Sequence, residues 1–265
     1  MGYHAVVKVM KEGKGMHKMH QLHALLAVFM TLLLTPAWAE KPAWKVIHPE
    51  SLYQMLEQKR DFTLINTMSG IECRDHSIPK SLCIPCETLD EQISKLPPEK
   101  NRKLVFYCES ELCVRSYKAA EKALKQGYTD VSVLKEGLPG WKKAGYEVIS
   151  QERIPRRAIP SVKAPVVKTW MDEKKPFLIV DIRSEDAFKD GHIDGAVNIP
   201  FYLLDRQYHT LPLDRKILLV DERGFRSFLA ASYLGMKGCD VTRLVGGMEK
   251  WRKVFSNEKQ LPAKR

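Results

Sequence analysis

The sequence predicts an α/β protein made of two tandem copies of one domain, each a parallel sheet flanked by helices. Three observations predict it. The chain repeats itself: Phe62–Ser69 matches Phe177–Ser184 at an offset of 115, and Arg102–Cys108 matches Arg215–Asp221 at an offset of 113. The matched runs Leu64–Thr67 and Leu104–Tyr107 are short and apolar without polar alternation, as suits strands buried on both faces of a parallel sheet. Between such runs lie segments with helical spacing, and strands alternating with helices imply a parallel sheet covered on both sides. A composition of 44% hydrophobic and 28% charged residues over 265 positions is that of a globular chain.

The first 39 positions read as a leader. Lys8, Lys11, Lys14 and Lys18 form a basic region, Leu22–Leu34 is an apolar run of signal-peptide length, and Ala37-Trp38-Ala39 is a small-residue cleavage pattern. The expected product is an exported, periplasmic or extracytoplasmic protein starting at Glu40; an uncleaved membrane anchor is the alternative. The first domain then spans 40–150. In it Ser116–Gln126 carries apolar residues at helical spacing and Gly127 supplies the stop, followed by a buried strand at Val131–Leu134. Residues 151–163, with Pro155 and Pro160 among basic residues, read as an extended, exposed linker. The second domain spans 164–265. Asp75 pairs with Asp190, Ile78 with Ile193, Ile84-Pro85 with Ile199-Pro200, Arg115-Ser116 with Arg226-Ser227 and Gly127 with Gly238.

The net charge is +11, and the expected mature chain keeps a modest positive excess, spread along its length, that could favour small anions or acidic partners. No arginine-rich run with interleaved aromatics appears, so nucleic acid is not an expected partner. Five of the six cysteines fall between positions 73 and 113, which suggests local chemistry as much as stapling.

The sharpest site is the turn after the strand Leu104–Tyr107: Cys108-Glu109-Ser110-Glu111-Leu112-Cys113-Val114-Arg115-Ser116. A cysteine at the carboxyl end of a buried strand, with a short loop into a helix N-terminus, faces backbone N–H groups and the positive end of the helix dipole. Both stabilise a thiolate, and the same N–H groups can hold an oxyanion beside the sulfur. Arg115 adds a fixed charge. Cys108 is therefore the expected nucleophile, against the bland reading of a buried inert thiol. Cys113 is either a resolving partner that forms a disulfide with Cys108 or a small apolar filler. In the second copy Asp221-Glu222-Arg223-Gly224-Phe225-Arg226-Ser227 puts a carboxylate where the cysteine stands; Arg223 and Arg226 could hold an anion, or the loop could be structural.

This arrangement resembles the rhodanese (thiosulfate sulfurtransferase) superfamily. The features that carry the resemblance are the Tyr107-Cys108 strand end, the loop closed by Arg115-Ser116 and the segment Leu134–Trp141, which is similar to the family's tryptophan motif. In the second copy, Gly191-His192-Ile193-Asp194-Gly195-Ala196 and Leu244–Trp251 carry it. Together they cover nearly all of residues 45 to 255. The resemblance implies two tandem rhodanese-like domains, the second of the inactive type. It implies sulfur transfer through a persulfide on Cys108, with residues 109–116 binding the substrate. The donor would be a small sulfur-containing anion such as thiosulfate, and the acceptor a thiol or cyanide. A thiol or redox protein is a candidate partner, and no cofactor is needed. Two departures stand out. Six residues rather than four separate Cys108 from Arg115, and Glu109 and Glu111 put negative charge where an anion should bind. A non-turnover sulfur carrier, a thiol–disulfide redox protein and a binding scaffold are the alternatives.

The other cysteines read more plainly. Cys73 aligns with Phe188 and reads as a buried thiol; a Cys73–Cys86 disulfide near Cys108 is the sharper alternative. Cys83 reads as core, Cys239 as inert. A zinc site from Cys83, Cys86 and His76 is weighed and disfavoured, because the proline between the two cysteines sets them on a strand with diverging side chains, so no metal is expected. His192 reads as a hydrogen-bonding core residue rather than a base.

Overall fold

The computed structural model describes residues 43–256, so the leader expected at 1–39 lies outside the described residues. The first domain contains β1 (Lys45–Ile47), α1 (Pro49–Glu57), β2 (Thr63–Asn66), α2 (Gly70–Asp75), β3 (Leu82–Cys83), β4 (Leu104–Tyr107), α3 (Val114–Lys125), β5 (Val131–Leu134) and α4 (Gly137–Lys143). The second repeats the plan. Its elements are β6 (Ser161–Val162), α5 (Ala164–Asp172), β7 (Phe177–Asp181), α6 (Glu185–Lys189), β8 (Val197–Asn198), α7 (Leu204–Gln207), β9 (Lys216–Val220), α8 (Arg226–Met236), β10 (Val241–Leu244) and α9 (Gly247–Ser256). Each sheet has five parallel strands, ordered β1-β5-β4-β2-β3 and β6-β10-β9-β7-β8. The two sheets are thus topological copies, as the repeat predicts.

The central strands explain the apolar runs. All four residues of β4 are buried, and β2 pairs with it from Thr63 opposite Leu104 to Asn66 opposite Tyr107. Covered on both faces, such a strand gains from every side chain it buries, so alternation disappears. α3 lays Ala119, Ala120 and Ala123 on the sheet and stops where Gly127 takes a φ of +90°. After β2 the chain moves toward β3; after β4 it moves the opposite way, to β5. The order therefore reverses between β2 and β4, and the crevice beyond their carboxyl ends is where such sheets place sites.

The segment read as an extended, exposed linker is mostly exposed, and it is anchored at Ile154 and Val162. Ile154 is buried, its N–H donates to Asp75 Oδ1 at 2.9 Å, and Arg156 pairs with Asp75 Oδ2 at 3.2 Å. Ser161–Val162 already belongs to the second sheet, as β6 beside β10. Extension and exposure hold for most of the segment; Ile154 is buried because an apolar wall lies beside it. That wall is the second domain, whose core gathers Ile154 and, from α2 of the first domain, Ile71 around Ile182, Phe201, Leu204 and Tyr233. Arg74, also on α2, bridges Glu152 at 3.2 Å and Asp205 of the second domain at 3.1 Å.

Candidate active site

β4 delivers Cys108 to the reversal point, wholly buried, immediately past Tyr107. Its carbonyl accepts the N–H of Leu138 at 2.9 Å, which requires α4 to begin very close by. Gly137 makes this possible: a Cβ there would sit 2.5 Å from the Cys108 oxygen, and its φ is +58°. The loop then runs through exposed Glu109, half-buried Ser110 and exposed Glu111 and Leu112 to buried Cys113, whose N–H donates to Ser110 O at 3.2 Å. Val114 is exposed as the first residue of α3, while Arg115 and Ser116 are buried.

Cys108 and Cys113 are joined by a disulfide. The bond joins Cys113 to the expected nucleophile, which is the contact the resolving reading of Cys113 requires. Cys113 is also the N-cap residue of α3, so its sulfur lies at the positive end of a twelve-residue helix.

Arg115 is not the free anion receptor that its place in the loop suggested. Its Nη1 meets Glu72 Oε2 at 3.3 Å, its Nη2 lies 3.1 Å from Glu109 Oε2, and its Nε donates to Cys113 Sγ at 3.5 Å. The Glu109 contact is one of charge rather than a well-aligned hydrogen bond, since Nη2 has no hydrogen-bond partner. Glu72 was missed in the sequence, although its signal was present. Ser69-x-x-Glu72 is a capping box in which the Ser69 hydroxyl accepts from Glu72 N–H and the Glu72 carboxylate accepts from Ser69 N–H. The cap thus sets α2 and aims the same carboxylate at Arg115. Burial pushes the Glu72 carboxyl up, but Arg115's charge and hydrogen bonds from Glu109 and Ser69 outweigh it and hold the group at about 2. Glu109 shifts the other way, raised by burial and by sharing a hydrogen bond with the already ionised Glu72. Glu111 reaches Lys135 at 3.5 Å, away from the sulfurs.

The second loop shows what the cradle does. Asp221 stands at the end of β9 as Cys108 stands at the end of β4, and Met248 N–H donates to its carbonyl at 2.8 Å as Leu138 does to Cys108. The Asp221 carboxylate accepts the N–H of Gly224 at 2.6 Å and of Ser227 at 2.9 Å. Ser227 is the counterpart of Ser116. An anion carried on this position is therefore received by loop and helix amides. Arg223 and Arg226 both line the cleft between the domains, and each has an acidic neighbour. Arg223 pairs with Glu249 at 3.1 Å, and Arg226 leans across the domain boundary to within 4.0 Å of Glu109 Oε1. Between the domains lies a cleft of about 740 Å³ lined by Glu72, Glu109, Arg183, Phe225, Arg226 and Leu229, among others; neither sulfur lines it.

Two further expectations need correction. The second disulfide joins Cys73 to Cys83, not Cys73 to Cys86, because α2 and β3 flank β2 and bring those two residues together while Cys86 turns into the next short helix. Cys86 is a buried thiol, raised to about 11 by burial and by Glu87. With Cys83 bonded and His76 paired to Asp75 at 2.9 Å, the zinc alternative loses two of its ligands. His192 is exposed, stacked on Phe188 with its Nδ1 at 2.9 Å from the Phe188 carbonyl, and is not a core residue. Cys239 is buried, with its thiol raised by that burial.

Two copies of one five-stranded parallel α/β unit, the first with a cysteine loop at its sheet reversal, define the class of fold. The model of the rhodanese-like domain matches residues 48–144 and again 163–254, and the chain belongs to the rhodanese family. Among relatives, a sulfurtransferase of Allochromatium vinosum is 32% identical over 106 residues, covering 40% of this chain and 95% of that protein. A thiosulfate sulfurtransferase GlpE of Shewanella oneidensis is 40% identical over 82 residues, 31% of this chain and 81% of that protein. The thiosulfate sulfurtransferase of Gallus gallus is 30% identical over 148 residues, and the match spans about half of each chain, 49% and 51%. The crystal structure of a Pseudomonas aeruginosa thiosulfate sulfurtransferase aligns with a TM-score of 0.38 and 21% identity over 79% of this chain and 42% of that one. Relatives named as sulfurtransferases set the class of chemistry at the level of the family.

Proposed function

We propose that this chain transfers sulfane sulfur through a persulfide on Cys108, and that the first domain alone carries the chemistry. The observation that carries the proposal is the Asp221 loop. There an anion borne on the residue at the cysteine's position is bound by two backbone N–H groups. By the repeat, Ser116 at the first turn of α3 is the counterpart of Ser227, so an anion on Cys108 would be received there, and a thiolate or persulfide is the anion that position can bear. In the reduced protein the Cys108 thiolate attacks the outer sulfur of a donor such as thiosulfate. The new S–S bond forms on Cys108 and sulfite leaves with the electron pair. A thiol or cyanide then attacks the outer sulfur of the persulfide, and the Cys108 thiolate is the leaving group. Asp221 cannot take this role, because a carboxylate has no route to a persulfide. The test is thiocyanate release from thiosulfate and cyanide by protein reduced beforehand. Activity is expected in the native chain and absent in Cys108→Ser; full activity in that variant overturns the proposal.

The Cys108–Cys113 bond favours a second reading, thiol–disulfide exchange with a partner protein. It predicts turnover with a disulfide substrate and none with thiosulfate. We also place the protein in an oxidising, extracytoplasmic compartment. The leader pattern ending at Ala39 supports this, as do two disulfides, which persist where thiols are not kept reduced. Sequencing of the exported protein is expected to start at Glu40.

A further inference from the structure

We propose that the oxidised loop accepts sulfide itself: hydrosulfide attacks Cys108 of the Cys108–Cys113 disulfide and is stored there as the persulfide. This rests on the reading of Cys108 as the sulfur carrier and identifies a donor for it. The electrons balance within the loop. The bond between Cys108 Sγ and Cys113 Sγ breaks, a bond between Cys108 Sγ and the sulfide sulfur forms, and Cys113 leaves as a thiolate with the electron pair. The disulfide is the oxidant, so the sulfide sulfur rises to the sulfane level while Cys113 is reduced.

Two features select this direction of attack. Arg115 Nε lies 3.5 Å from Cys113 Sγ, and Cys113 caps the positive end of α3, so the better-stabilised leaving thiolate is Cys113. Cys108, not Cys113, holds the position whose counterpart in the second domain sets an anion among loop amides, so the persulfide is received where it forms. Access and charge then select the nucleophile. Cys108 is wholly buried and Cys113 nearly so, which bars glutathione-sized and protein thiols from Cys108 while the loop is closed. Arg115 is already held by Glu72 and Glu109, so a dianion such as thiosulfate meets no free guanidinium. Sulfide is a single heavy atom, and near neutrality it exists partly as uncharged hydrogen sulfide, which passes Glu109 without repulsion; the proton it gives up to attack as hydrosulfide is taken by the departing Cys113 thiolate.

The experiment uses the full chain, oxidised, with sodium sulfide as the probe, followed by alkylation, intact mass measurement and peptide mapping. Beyond the mass of the two alkyl groups, the expected result is a gain of about 34 Da, one hydrogen sulfide per oxidised loop, with the extra, alkylated sulfur on Cys108 and a second alkylated thiol at Cys113. Protein reduced and desalted beforehand is expected to take up no sulfur from sulfide, because the oxidant is gone. Sulfur found only on Cys113 or at Cys73–Cys83, or equal loading of reduced and oxidised protein, overturns the inference. The reduced protein is also treated with thiosulfate. Loading there without loading of the oxidised protein by sulfide sinks this inference and leaves the persulfide reading intact. Failure of both arms sinks both.

Discussion

At the scale of single residues, two carboxylates do opposite work on one guanidinium. Glu72 is held at about 2 against an ordinary 4.5, so its ionised form stabilises the fold. For an acid depressed in the folded state, that contribution is present above 4.5 and is lost as pH falls from 4.5 toward 2. Glu109 is raised, so its protonation favours the fold as pH falls through its folded value toward 4.5. The expected profile of the first domain is a stability that holds into mild acid and then drops below pH 4.5; Glu72→Gln should flatten that drop in pH-dependent urea unfolding. Asp221 makes a second residue-scale prediction. It is buried, and Asp221→Ala leaves the N–H groups of Gly224 and Ser227 without their acceptor. A loss of about 1–3 kcal/mol is expected in the unfolding free energy, while sulfur loading at Cys108 persists. Cys86, raised to about 11, should resist alkylation near neutrality in the folded chain and react once it unfolds.

At the scale of elements, the site depends on how closely one helix start approaches one strand end. Gly137 opens α4 against the Cys108 carbonyl, and Gly247 does the same against Asp221 with a φ of +56°. An alanine at 137 must both take a left-handed conformation, at about 1–2 kcal/mol, and push back the Cys108 oxygen 2.5 Å away. Gly137→Ala is therefore expected to lower stability and to slow persulfide formation on Cys108, read by mass after thiosulfate treatment of the reduced chain. Gly247→Ala should lower stability to a similar degree but leave loading unchanged. Equal loss of loading in both variants would show that the helix start acts globally rather than on the cysteine loop. The same closeness accounts for the paired carbonyl contacts of Leu138 and Met248 in the two domains.

Over the whole molecule, α2 is the hinge of the arrangement. Glu72 faces Arg115 in the first domain, while Ile71 is wholly buried in the core of the second and Arg74 reaches Asp205. Gly70 lies directly against the Asp205 side chain, leaving no room for a Cβ. Removing Ile71's side chain empties part of a core shared by both domains, at about 2–5 kcal/mol for a buried aliphatic residue cut to alanine. Ile71→Ala is expected to split a single unfolding transition into two and to expose the segment around Ile154 to proteolysis. A single unshifted transition would show that the domains stand independently. Arg226, from the second domain, also reaches Glu109 beside the cysteine loop, so the domain without a cysteine in its loop borders the site of the domain that has one.

The repeat, the two parallel sheets and the cysteine loop were readable from residue order alone. Buried strands, helix stops such as Gly127 and a strand–loop–helix turn are properties of short stretches, and two copies at a near-constant offset reinforce each other. Even Glu72's cap could have been read, since it spans four residues. What it faces could not. Arg115 lies 43 positions away, and only the pairing of β2 with β4 brings the two together. The same holds for the buried Ile154 in a proline-rich segment and for Arg226 beside Glu109. Which charges a loop arginine has left to offer depends on distances between residues remote along the chain. Those distances are set by packing of whole domains, and no local pattern of the sequence encodes them.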